Sequence, residues 1–180
     1  TSINYEIPLA SLQLLWINII TDSLPAFGLG VEEADIRLMY EKPREKNSNF
    51  FANGMGLEII FIGICIGALT LISYFVGLKY FPAKASTMAF VTISTTQLLH
   101  AYNCRNNRSI FTKKIFKNRL LNSSLIIGLV LMLVVIYSNG INDVFSLEKL
   151  TYFELLIAIG IAFLIIIISE IRKKIINRPK

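Results

Sequence analysis

The sequence predicts an all-α membrane protein, a bundle of five transmembrane helices whose first member is unwound near Pro25. Three observations carry this prediction. Hydrophobic residues make up 54% of the 180 and charged residues only 17%, which lies outside the range of an ordinary water-soluble domain. The mean hydropathy is positive, at +0.59. Apolar stretches of about 20 residues, the length a helix needs to cross the hydrocarbon core, recur along the chain between prolines and clusters of charge. No internal repeat, low-complexity tract or second domain interrupts them, so one bundle is expected over residues 1–180.

The expected spans run from Leu9 to Val31, Leu57 to Leu78, Ala85 to Asn103, Leu121 to Ser138 and Tyr152 to Glu170. The first is broken by Pro25 and punctuated by Gly28 and Gly30. It is not read as a cleaved signal peptide, because no basic segment precedes it and it carries Asp22. The second contains Gly63 and Gly67, a small-xxx-small spacing read here as general bundle packing. The third carries Gln97 and His100, the latter read as a packing residue near a helix end. The last two are almost purely Leu, Ile, Val and Phe, with Glu154 and Glu170 near the water boundaries, and are assigned to scaffolding.

Charge sets the expected orientation. With the N-terminus outside, residues 37–46, 105–119 and 172–180 become cytoplasmic and hold every Lys and Arg except Lys79, Lys84 and Lys149. The net charge of +6 therefore reports topology rather than a nucleic-acid surface, and no nucleic-acid partner is expected. Cys65 and Cys104 form neither a metal-type pair nor a plausible disulfide across the membrane. The stretch 31–54 mixes charges of both signs around Pro43, which suits either a docking segment or a solvated connector.

The chemistry is concentrated in the first span, where Asn18, Thr21 and Asp22 stand at i, i+3 and i+4. A carboxylate near the bilayer centre costs at least ~2.5–3.5 kcal/mol, so Asp22 marks an ion or proton site. Pro25 lacks an N–H and crowds the carbonyl four residues earlier, that of Thr21, freeing a backbone oxygen beside the acid. Amide, hydroxyl, carbonyl and carboxylate oxygens are hard ligands of the kind Ca²⁺ prefers. The same residues also suit a Pro-kinked helix whose Asn and Asp hydrogen-bond to neighbouring helices.

The segment WINIITDSLPAFGLGVE resembles the sixth transmembrane helix of calcium-transporting P-type ATPases, with its Asn-x-x-Thr-Asp followed by Leu-Pro and a small-residue exit. TMAFVTISTTQLLHAYNCRNNRSIF resembles the eighth helix of the same family. The resemblance implies that residues 1–180 are the C-terminal transmembrane domain of a cation pump, helices six to ten. It further implies that Asn18, Thr21 and Asp22 are cation ligands. Gln97 aligns with a position that is acidic in two-site members, so its neutral amide implies one Ca²⁺ per cycle. Gln97 itself is read either as a ligand or as an interhelical hydrogen-bond partner.

The transported ion implied is Ca²⁺, with Mn²⁺ or a Ca²⁺/Mn²⁺ pair as the alternative, because manganese also accepts octahedral oxygen ligands. Mg²⁺ and ATP would act only through cytoplasmic domains absent from this chain, since no Asp-Lys-Thr-Gly-Thr motif or phosphate-cradling loop occurs in it. The fragment alone should hydrolyse nothing. Its expected partners are the lipid bilayer and the remaining helices and cytoplasmic domains of the same pump, which would complete the coordination of the ion. In the cytoplasmic loop, Asp35, Met39, Pro43 and Arg44 keep the family pattern, whereas Glu33, Ala34, Arg37 and Lys42 depart from it. Asp35, Pro43 and Arg44 are thus expected in coupling to the phosphorylation domain. The Ile, Lys and Asn content suggests a low-GC bacterium and its cell membrane. A non-transporting membrane scaffold is the alternative from another class, and a secondary transporter fits less well, lacking paired broken helices.

Overall fold

The computed structural model describes residues 9–31, 55–105 and 117–176. Within them the chain is helical, without strands. Asp35, Pro43 and Arg44 lie outside the described residues.

The first helix is continuous from Ser11 to Gly30 but changes pitch on the way. It consists of α1 (Ser11–Ile17), a π-helical turn at Asn18–Asp22 and α2 (Ser23–Gly30). The irregularity expected near Pro25 therefore falls in the turn before the proline and is a widening of the helix, not a break in it. The proline ring would press on the carbonyl of Thr21 in a regular α-helix, and a π turn relieves that contact while keeping the backbone hydrogen-bonded.

α3 (Met55–Tyr80), α4 (Ala85–Cys104), α5 (Arg119–Tyr137) and α7 (Tyr152–Ile176) follow, with a short α6 (Ile141–Val144) between the last two. Their limits agree with the apolar runs to within a few residues, except that α7 continues beyond Glu170. Charges at Arg172, Lys173 and Lys174 end the hydrophobic run without ending the helix, because Lys and Arg are good helix formers and suit a helix C-terminus.

Ser11–Gly30, α3, α5 and α7 are each long and apolar enough to cross a membrane. α4 is of spanning length, 20 residues, but is less apolar than the others. Its position explains this. α4 packs against α3, α7, α5 and the first helix, and Met88, Ala89, Phe90 and Val91 are wholly buried. A helix covered by protein can carry hydroxyls if neighbouring helices satisfy them. Thr92 accordingly donates to Ser73 Oγ on α3 at 2.7 Å and lies 3.2 Å from the Ala158 carbonyl on α7. The outer helices instead turn large apolar side chains outward, among them Phe27, Leu57, Phe153 and Leu156, as a lipid solvent requires.

Close packing uses glycines other than the Gly63 and Gly67 pair. A Cβ at either of those two would meet nothing within 4 Å, so their spacing serves no helix contact among the described residues. A Cβ on Gly28 would lie 2.9 Å from the backbone of Leu121, and one on Gly77 2.6 Å from Ala85 Cα. Gly28 is where the first helix meets α5. There Asn118 caps α5 by accepting from the Leu121 N–H at 2.9 Å and donates to the Gly28 carbonyl at 2.8 Å.

At the opposite end, Glu154 in the first turn of α7 is buried. It accepts from Lys84 Nζ at 2.8 and 3.0 Å and from the Thr151 N–H at 2.7 Å. Glu58 of α3 is paired with Arg172 of α7.

Candidate cation-binding site

The first helix buries a single stripe, Gln13, Ile17, Thr21, Pro25 and Gly28, flanked by half-buried Trp16, Ile20 and Leu24, and exposes most of the remaining residues. The candidate ligands are divided by this stripe. Thr21 is buried against α4, whereas Asn18 and Asp22 are exposed on the other side of the π turn. Asn18 and Asp22 are the two ends of that turn, so one face of it carries an amide and a carboxylate, and the other carries the Thr21 hydroxyl.

Thr21 Oγ1 lies 2.6 Å from the Ile17 carbonyl and 2.5 Å from the side-chain oxygen position of Gln97. A hydroxyl has one proton, so it cannot donate to two acceptors at once. Both contacts are satisfied when Thr21 donates to Ile17 and the Gln97 amide turns its NH₂ toward Thr21. The structure thus brings Thr21 and Gln97 together and holds Asn18 and Asp22 close by in the chain but without protein covering them. Pro25 is buried in α2 and gives no N–H to the Thr21 carbonyl.

Gln13 is a buried polar residue on the same stripe as Thr21 that sequence reasoning did not single out. It is completely buried, accepts from the Ala10 N–H at 3.1 Å and donates to the Phe145 carbonyl at 2.8 Å. Its amide also lies 3.4 Å from Ser86 Oγ at the start of α4. Further along, the rings of Trp16 and Phe90 sit 5.1 Å apart. The pairs Gln13 with Ser86, Trp16 with Phe90 and Thr21 with Gln97 show that the first helix and α4 run side by side in the same direction. The available signal was the spacing of 13, 17, 21 and 25, which marks one stripe. His100 is not part of this arrangement; its Nε2 lies 3.3 Å from Cys104 Sγ. Among the described residues no three His, Cys, Asp or Glu side chains come together.

The profile of the family described as "Cation transporting ATPase, C-terminus" matches residues 6–175. The chain belongs to this family. Similar full-length proteins include a calcium-transporting ATPase of Bacillus subtilis (strain 168), 33% identical over 87% of this chain and 18% of its own length. Calcium-transporting ATPase 1 of Bacillus cereus is 34% identical over 95% of the chain and 21% of its own length. The mouse calcium-transporting ATPase type 2C member 2 is 32% identical over 96% and 19%. This cation-transporting ATPase segment therefore spans about one fifth of the length of the relatives it matches.

Proposed function

We propose that this chain is the C-terminal membrane part of an ATP-driven Ca²⁺ pump and supplies part of its intramembrane cation site. The observation that carries the proposal is the π turn Asn18–Asp22, which fastens Thr21 to Gln97 on one side and leaves Asp22 and Asn18 uncovered on the other. Asp22 lies midway along a membrane-length helix, where an unpartnered carboxylate costs at least ~2.5–3.5 kcal/mol. A cation together with further oxygen ligands from other helices of the same pump removes that cost. Ca²⁺ takes 6–8 oxygens, more than Asn18, Thr21, Asp22 and Gln97 offer, so the remainder comes from helices outside this chain. The names of the relatives favour Ca²⁺ as the transported ion.

In this reading the first helix, α3, α4, α5 and α7 are five spans, with residue 1 outside and residue 180 in the cytoplasm. Asp22 provides the charge that offsets desolvation of the ion. Thr21 and Gln97 provide neutral oxygens, and the single acid fits one Ca²⁺ per cycle. Phosphorylation by ATP and the accompanying Mg²⁺ belong to domains outside these 180 residues, and the segment alone is inactive. Asp35, Pro43 and Arg44 couple those domains to the first helix.

The test is formation of phosphoenzyme from ATP by the complete pump while Ca²⁺ and Mn²⁺ are titrated separately. Wild type should respond to Ca²⁺ and Asp22→Asn should not. A mutant with wild-type Ca²⁺ dependence would falsify the site assignment, and activation by Mn²⁺ alone would replace the ion.

A further inference from the structure

The buried hydroxyls of this bundle are satisfied either along their own helix or by a neighbouring element, with Ser94 and Ser169 as the exceptions among the described residues. Thr21, Thr70 and Thr96 donate to the carbonyl four residues back, at 2.6, 2.8 and 2.5 Å, and Ser124 to that three residues back at 2.8 Å. Ser94 does not do this. It is wholly buried, at 0% exposure, and its Oγ has no hydrogen-bond partner among the described residues. Ser169 on α7 shares that property, but Ser94 stands beside the π turn.

The position of Ser94 follows from its neighbours on α4. Phe90 and Gln97, at i−4 and i+3, touch Trp16 and Thr21 of the first helix. Thr95 and Leu98, at i+1 and i+4, touch α5: Thr95 Oγ1 lies 3.9 Å from Met132 Sδ, and Leu98 fills the space over Gly128. Ser94 therefore occupies the seam where the first helix, α4 and α5 meet. The register set by Gln13 with Ser86, Trp16 with Phe90 and Thr21 with Gln97 puts it level with the start of the π turn.

We propose that Ser94 is a further oxygen donor of the cation site, turning its hydroxyl onto the ion or the ion's retained water beside Thr21 and Gln97. This rests on the reading of the π turn as a Ca²⁺ site. A buried hydroxyl without a protein partner is costly unless a ligand or water completes it, and a hard divalent cation with its water is the ligand class that this group of oxygens suits. Ser94 would thereby make the neutral side of the site three oxygens deep without adding charge.

The experiment is the Ca²⁺ dependence of phosphoenzyme formation by the complete pump carrying Ser94→Ala or Ser94→Cys. Both substitutions are close in volume, and Ala removes an unpaired polar atom, so both variants should keep the wild-type thermal midpoint and maximal phosphoenzyme. The half-activating Ca²⁺ concentration should rise about 3- to 10-fold in each, the loss expected for one hydrogen-bonding oxygen. Curves that overlay wild type in both variants overturn the proposal. So does a fall in maximal phosphoenzyme at an unchanged half-activating concentration, which signifies packing alone. A wild-type pump indifferent to Ca²⁺ overturns the underlying Ca²⁺ reading instead, and does so without reference to Ser94.

Discussion

At the scale of single residues, the π turn separates two kinds of contribution. In the proposed site Asp22 acts by charge, so Asp22→Asn in the complete pump, which keeps shape and removes charge, should abolish Ca²⁺-dependent phosphorylation while leaving the thermal midpoint of the detergent-solubilised protein near wild type. Thr21 and Gln97 act on each other across two helices, 2.5 Å apart. A double-mutant cycle of Thr21→Val and Gln97→Leu, read by thermal unfolding, should give a coupling of about 0.6–1.7 kcal/mol, the range for interhelical hydrogen bonds in membranes. Coupling indistinguishable from zero would show that the contact does not fasten the turn. Asn18, Thr21 and Asp22 are proposed as ligands from spacing and chemistry alone, because a carboxylate three residues before a proline in a membrane helix has few structural explanations. Gln13 and Ser94 were not. A polar side chain at a helix interface looks the same in sequence as one that a cation needs, and only its partners tell them apart.

At the scale of elements, small residues matter where two backbones meet, not where a motif occurs. Gly28 lies against the Leu121 backbone, and the Asn118 side chain bridges the same two helices. Gly28→Ala should therefore lower stability by about 1–3 kcal/mol, as overpacking against an unyielding backbone does. Gly63→Ala, whose Cβ would meet nothing within 4 Å, should stay within about 0.5 kcal/mol of wild type. Thermal unfolding of both variants in one detergent checks the contrast, and an equal loss in each would sink it. The span limits were legible because hydropathy is a local property. The π turn was legible only as a disturbance near Pro25, since a proline announces that the helix must adjust but not whether it breaks, kinks or widens.

For the whole molecule, the proposed orientation follows from Lys and Arg placement and can be tested directly. With Cys65 and Cys104 replaced by Ala, a cysteine at the exposed Asp143 should react with a membrane-impermeant thiol reagent only from outside the cell, and one at the exposed Lys174 only from the cytoplasmic side. Labelling of both from the same side would contradict the expected number of crossings. The central place of α4 gives the bundle its logic: Ser86, Thr92 and Gln97 are answered by the first helix, α3 and α7, while those outer helices present Leu, Ile and Phe to lipid.

By itself the sequence determined that the chain is a helical membrane bundle, where the helices begin and end to within a few residues apart from the C-terminal end of α7, and that the first helix is irregular near Pro25. These follow from local quantities, namely run length, charge and the absence of one N–H. Only the tertiary structure decided that α4 is the hub, that Thr21 faces inward while Asn18 and Asp22 face away, that Gly28 rather than Gly63 carries a helix contact, and that Ser94 is buried without a partner. Lipid and helix interior are almost equally apolar, so hydropathy cannot distinguish a surface that faces one from a surface that faces the other. That distinction is made when the helices pack and their hydrogen-bonding groups either meet or fail to meet.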